Sequence, residues 1–292
     1  MKHLNGIHHV TAITGDAQKN VDFYAGVLGM RLVKKTVNFD DPNGYHLYFG
    51  DELGSPGTLL TFFAWPGAAP GRIGASEPVA VSFQVPKGAL AWWEERLLRR
   101  RENGRVAVSD PDGMRVELVE GSGEAASPAI QRIHSVTLHL ANLKESGSVF
   151  VNGLQFLEIA ENRYQVGKGP DAGYIEVQRG AGGRGTMGAG TIHHLAFRTD
   201  DDATQQEWLG HVVRLGLHVS PVMDRKYFHS IYFREPSGVL FEIATDPPGM
   251  TVDEAAGQLG EKLMLPKEYE AARQQLEATL PPLKTPGLEL VI

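Results

Sequence analysis

The dipeptide His-His occurs twice, as His8-His9 and His193-His194, and each copy opens the same kind of segment: IHHVTAIT at 7–14 and IHHLAFRT at 192–199. The chain has no cysteine, which excludes disulfides and thiolate metal sites. A metal centre would therefore have to be built from histidine and carboxylate. Glu242 supplies a carboxylate in an apolar run, VLFEIA. A carboxylate buried there costs several kcal/mol unless a metal or a cation such as Arg225 sits beside it. One histidine from each pair plus Glu242 would make a two-histidine, one-carboxylate set with open positions, the pattern of non-haem Fe(II) oxygenases. Alternation along a strand sends neighbours to opposite faces, so it leaves open which histidine of each pair points inward.

The elements that would position these groups repeat four times. The opening runs are Ile7–Thr14, Val79–Pro86 (VAVSFQVP), Ile133–Leu140 (IHSVTLHL) and Ile192–Thr199, each β-branched and alternating. Each is followed by a helix-period stretch. In the first, Asp16 is the expected N-cap and Gly29 the stop; the third is interrupted by Gly147 and Gly153. Each repeat closes with a Pro/Gly turn and a last strand: SPG before TLLTFF, PDG before MRVELVE, a glycine turn before YIEVQ, and PSG before VLFEIA. The second repeat is the shortest and has room for one strand fewer.

Counting from the turn glycine, Glu242 matches Thr61 in repeat one, with Glu117 and Glu176 at or near the same place in repeats two and three. Repeats one and two would offer one histidine and Glu117. Three and four would offer one histidine, Glu176 and Glu242, with Ser135 in the remaining corner. Repeats one and four would offer two histidines and Glu242, with Thr61 in the fourth corner, which predicts that the first repeat packs against the last. Glu117 and Glu176 then become structural or surface groups.

These repeats resemble the βαβββ modules of the vicinal oxygen chelate superfamily (glyoxalases, bleomycin-resistance proteins and extradiol dioxygenases), and among them the hydroquinone-type ring-cleaving dioxygenases. The resemblance rests on IHHVT at 7–11, YHLYFGDELGSPGT at 45–58, TIHHLAF at 191–197 and DRKYFHSIYFREPSGVLFE at 224–242, and it covers the whole chain. It implies an α+β fold of four modules pairing into two half-barrel clefts, with a C-terminal helical tail. The expected domains are 1–120, 130–249 and the tail 250–292, with modules one and four paired around the metal. It also chooses His9, His194 and Glu242 as ligands of Fe(II), with Mn(II) or another divalent ion as substitutes. Arg225 and Tyr232 match pocket residues of the family and are catalytic candidates, with Tyr232 or one of His8 and His193 to move protons and Arg225 to hold an anionic intermediate. His8 and His193 then become groups behind the ligands or at an interface, and His46 and His229 rank below all of these.

The implied reaction is cleavage of a hydroquinone or related dihydroxy-aromatic by O2, both held side by side on the metal. A glyoxalase-like lyase would want a fourth protein ligand where Thr61 stands, and a metal-free aromatic-binding resistance protein would need no ligands. Of 292 residues, 42% are hydrophobic and 22% charged, and the net charge is −7, from 28 basic and 35 acidic residues. This is ordinary globular composition without a nucleic-acid footprint. No apolar run reaches the ~20 residues of a membrane span, and the first residues carry no signal-like core. A cytoplasmic protein, alone or as a homo-oligomer, is expected. GAGGRG at 180–185 fits a dinucleotide fingerprint by letter, but no helix pattern follows it. The whole stretch Gly180–Gly190 (GAGGRGTMGAG), between repeats three and four, and Trp65–Ser76 read as flexible connectors, the latter as a lid or a long loop. A helix is expected over about 266–280.

Overall fold

The computed structural model describes residues 2–285. Module one runs β1 (Ile7–Thr14), α1 (Ala17–Val21) extended by a π-helical turn, β2 (Arg31–Val37), β3 (Tyr45–Gly50) and β4 (Leu59–Ala64). Module two has β5 (Glu77–Val85), α2 (Leu90–Leu97), β6 (Arg105–Ser109) and β7 (Arg115–Glu120), one strand fewer than the others. Module three has β8 (Arg132–Leu140), α3 (Leu143–Ser148), β9 (Leu157–Ala160), β10 (Arg163–Val166) and β11 (Gly173–Arg179). Module four has β12 (Ile192–Thr199), α4 (Asp202–Arg214), β13 (Met223–Asp224), β14 (Phe228–Arg234) and β15 (Leu240–Pro248).

Local chemistry sets these boundaries. The Asp16 carboxylate accepts from the backbone N–H groups of Gln18 and Lys19, and Asp201 does the same for Thr204 at the start of α4. The turns before β4, β7 and β15 each need a left-handed residue and place Gly57, Gly113 and Gly238 there. Trp93 on α2 and Trp208 on α4 are wholly buried and anchor their helices to the core.

Among the described residues the strands form two sheets, ordered β13-β14-β15-β12-β1-β4-β3-β2 and β6-β7-β5-β8-β11-β10-β9. The first joins modules one and four through the antiparallel pair β1–β12; the second joins two and three through β5–β8. Partnership in space is thus not partnership in sequence.

The two stretches read as flexible connectors pair with each other. Gly71 donates to the Ala189 carbonyl, and Arg72 and Thr186 exchange both backbone hydrogen bonds at 2.9 Å. Glycine-rich composition there permits the close approach, since a Cβ on Gly71 or Gly188 would collide with the facing backbone. The tail carries α5 (Arg273–Thr279) after a 3₁₀ turn over Lys267–Ala272. It is fixed to the first sheet by Lys34, a wholly buried lysine on β2 that lies 2.6 Å from Asp253 and 2.5 Å from Glu254. No helix among the described residues is long and apolar enough to cross a membrane.

Candidate metal centre

In the β1–β12 ladder, Ile7 faces Phe197 and His9 faces Ala196, so His8 is an extra residue; Thr11 faces His194 and Ala12 faces Ile192, so His193 is another. Each His-His pair therefore sits at a bulge, a device that bends a strand and re-aims its side chains. The bulge removes the strict alternation on which the sequence argument relied, and the two rings of each pair touch. His8 Nδ1 is 2.9 Å from His9 Nδ1, and His193 Nδ1 is 2.8 Å from His194 Nδ1.

The Nε2 atoms of His9 and His194 point at one another across 3.2 Å. Glu242 Oε2 lies 3.3 Å from the first and 2.9 Å from the second. All three residues are buried, and the described residues give Glu242 Oε2 no hydrogen-bond partner. Its other oxygen accepts from the Ser230 hydroxyl. Burial alone would raise the Glu242 carboxyl, but the two imidazoles hold it well below the usual carboxylate range.

Three lone-pair-bearing atoms facing one point, one of them orphaned, fit a metal ion. Ligands about 2.1 Å from a common ion lie about 3.0 Å apart at right angles and about 3.4 Å apart at tetrahedral angles, close to the observed 2.9, 3.2 and 3.3 Å. Among the described residues this is the group of histidines and carboxylates that could hold an ion. The fourth corner offers no protein ligand. Thr61 lies opposite Thr11 in the β1–β4 pair, as Glu242 lies opposite Ala196 in β12–β15. Its hydroxyl is tied to Thr11 Oγ1 at 2.8 Å and His46 Nε2 at 2.9 Å.

A cavity of about 300 Å³ lies over this centre, lined by residues of β1, β3, β4, β12, β14 and β15. That is the small end of the range for ligand pockets. Phe63, Trp65, Phe228 and Leu240 supply apolar walls, while Arg225 and Tyr232 supply polar ones. Arg225 Nε donates to the Tyr232 hydroxyl at 3.1 Å, and its Nη1 donates to Asp40 at 3.1 Å. Burial, then the Glu242 charge, pushes the Tyr232 phenol above its ordinary value, so it is a neutral donor. His229 turns away, 2.6 Å from Asp202. His46, ranked low from sequence, lines the cavity with Tyr48. The alternation in YHLYFG, which puts both residues on one face, was the available signal.

The second sheet holds the counterpart. Glu117 faces Ser82 in β5–β7 and Glu176 faces Thr137 in β8–β11, the same register as Thr61 and Glu242. The histidine corners there are Ala80 and Ser135. Arg105 fills the place of an ion, 2.5 Å from both Glu117 and Glu176.

Residues 6–95 and 128–243 match the family model of the Glyoxalase/Bleomycin resistance protein/Dioxygenase superfamily. The chain belongs to that superfamily. Within it, the chain is 44% identical to the provisionally named ring-cleaving dioxygenase MhqO of Bacillus subtilis, over 99% of both proteins. It is 36% identical to the chlorohydroquinone/hydroquinone 1,2-dioxygenase of Sphingobium indicum, over 95% of this chain and 96% of that protein. The crystal structure of a provisionally named dioxygenase from Bacillus subtilis superposes with a TM-score of 0.89 at 42% identity, covering 98% of this chain and 99% of that one. Glyoxalase I from Zea mays, at 15% identity and a TM-score of 0.61 over 82% of this chain and 92% of its own, shares the superfamily fold.

Proposed function

We propose that this chain is an Fe(II)-dependent, extradiol-type dioxygenase that opens the ring of a hydroquinone or related dihydroxy-aromatic with O2. The observation that carries the reading is the open triad: two imidazole Nε2 atoms and one carboxylate oxygen within 3.3 Å of one another, with a neutral hydroxyl at the fourth corner. The 36% identity to a chlorohydroquinone/hydroquinone 1,2-dioxygenase supports the substrate class.

His9, His194 and Glu242 would hold the ion. When bound, it would supply neighbouring positions for a substrate oxygen and O2 and a route for electrons between them. The chain's own residues do the rest. With both Nε2 atoms kept as lone pairs, the ligand histidines carry their protons on Nδ1 and donate them to Nδ1 of His8 and His193, which fixes tautomer and ring angle. Phe63, Phe228 and Leu240 pack against the ring and exclude water. The Arg225 guanidinium attracts anionic oxygen as charge develops, and Tyr232 can deliver a proton to it.

Anaerobic metal analysis followed by O2 uptake across hydroquinones and catechols tests this. Iron-dependent uptake and an acyclic acid containing both oxygen atoms are expected. Zn(II)- or Ni(II)-dependent isomerase activity with no O2 consumption would instead assign the chain to the lyases.

A further inference from the structure

His46 and Tyr48 lie two residues apart on β3, and both line the cavity. The Tyr48 hydroxyl is 3.0 Å from His46 Nδ1, and His46 Nε2 is 2.9 Å from Thr61 Oγ1. Thr61 Oγ1 is 2.8 Å from Thr11 Oγ1, and Thr11 lines the cavity again, two residues along β1 from His9. An unbroken hydrogen-bonded line thus runs from one cavity residue, Tyr48, through His46 and Thr61 to another, Thr11.

Every member of that line can both donate and accept, so the line has two opposite polarities. In one, Tyr48 donates to Nδ1, Nε2–H donates to Thr61, and Thr61 donates to Thr11; the Tyr48 oxygen then offers only lone pairs to the cavity. In the other, every bond is reversed and Tyr48 offers its proton. His46 switches between them by exchanging tautomers.

We propose that Tyr48, His46, Thr61 and Thr11 are a neutral proton relay for the dihydroxy-aromatic, taking a hydroxyl proton at Tyr48 and returning one at Thr11 on the His9 side. The proposal rests on the dioxygenase reading. The ring O–H bond breaks as its proton joins the Tyr48 oxygen. The Tyr48 proton moves to Nδ1, the Nε2 proton to Thr61, and the Thr61 proton to Thr11. Thr11 releases its own proton to an acceptor oxygen in the cavity. One proton enters and one leaves, no electrons pass, and no member of the line becomes charged. That matters because burial, together with His9, His194 and Arg225, pushes the His46 imidazole well below its ordinary value, and an imidazolium there is disfavoured.

The test uses iron-loaded protein carrying His46→Gln, whose amide keeps two hydrogen-bonding ends but cannot exchange tautomers, with Tyr48→Phe as an independent second variant. Metal content and anaerobic hydroquinone binding should stay within about threefold of wild type, while kcat for O2 uptake falls about tenfold or more. The solvent-deuterium proton inventory, curved in wild type, should become linear. The double variant should be no slower than either single one. Values of kcat within about twofold of wild type in both variants overturn the relay, as does a loss of kcat that leaves the proton inventory unchanged. Should His46→Gln fail to fold, Tyr48→Phe decides by the same criteria. A wild type that takes up no O2 with any dihydroxy-aromatic overturns the dioxygenase reading and the relay with it, so the two failures are told apart.

Discussion

The Nδ1 atoms of His193 and His194 stand 2.8 Å apart, a contact that successive residues of a regular strand cannot make. The bulge in β12 brings the two rings together, and a matching bulge in β1 does so for His8 and His9. An outer imidazole that accepts the ligand's Nδ1–H raises the basicity of the ligating nitrogen. His193→Phe keeps a ring but removes the acceptor, and iron affinity should drop about 10–100-fold, as read by chelator competition. An affinity unchanged by that substitution would separate the outer histidines from metal binding.

Glu242→Gln preserves volume while deleting the charge. Metal content and O2 uptake should both vanish, as they should in His9→Ala and His194→Ala. Thermal unfolding of the metal-free Glu242→Gln protein should occur at a lower temperature than that of metal-free wild type, because the ionised carboxylate that the two imidazoles stabilise has been removed. Wild-type metal content in any of the three variants would show that its side chain is not a ligand.

Thr61 separates two chemistries. Thr61→Glu adds a fourth ligand and should bind a divalent ion at least as tightly while losing O2-dependent turnover. Thr61→Val leaves His46 Nε2 and Thr11 Oγ1 each short of a partner and should cost about 1–3 kcal/mol of stability with the metal retained. Turnover by Thr61→Glu at the wild-type rate would show that the fourth corner does not need to stay open.

Acid should weaken the fold at His134 on β8. Burial first, then Arg105, pushes the His134 imidazole from 6.5 down to about 4. Its folded-state value is depressed, so the unfolded chain binds more protons between those pH values and folding stability falls as pH drops through that window. The slope from one such group is at most about 1.4 kcal/mol per pH unit. Chemical denaturation of His134→Gln should depend less on pH between 6.5 and 4 than that of wild type. Equal slopes would show that His134 does not contribute to the pH dependence.

Much of this architecture was legible because it is carried by local pattern. Four alternating opening runs and four Pro/Gly turns mark the modules, and matching Glu242 to Thr61 across repeats pointed to modules one and four, whose β1 and β12 pair. What stayed hidden depends on distant partners. A bulge is a mismatch between two strands, so nothing within IHHVT alone says that His8 and His9 will share a side. Lys34 reads as an ordinary polar strand residue until Asp253 and Glu254, more than two hundred positions later, fold onto it. The connectors at 65–76 and 180–190 look loose separately, and gain order only from each other. His46 ranked low from sequence, although its spacing from Tyr48 in YHLYFG was visible.

Arg105, held between Glu117 and Glu176, gives the two clefts different dependence on the surroundings. Under the proposed reading, one half of the molecule would take its central cation from solution and could be emptied by a chelator. The other half has its cation tethered to the backbone, at a fixed charge of +1, beyond the reach of chelation or metal exchange. If His9, His194 and Glu242 hold an ion as proposed, stripping it would leave the second cleft still braced across modules two and three by Arg105.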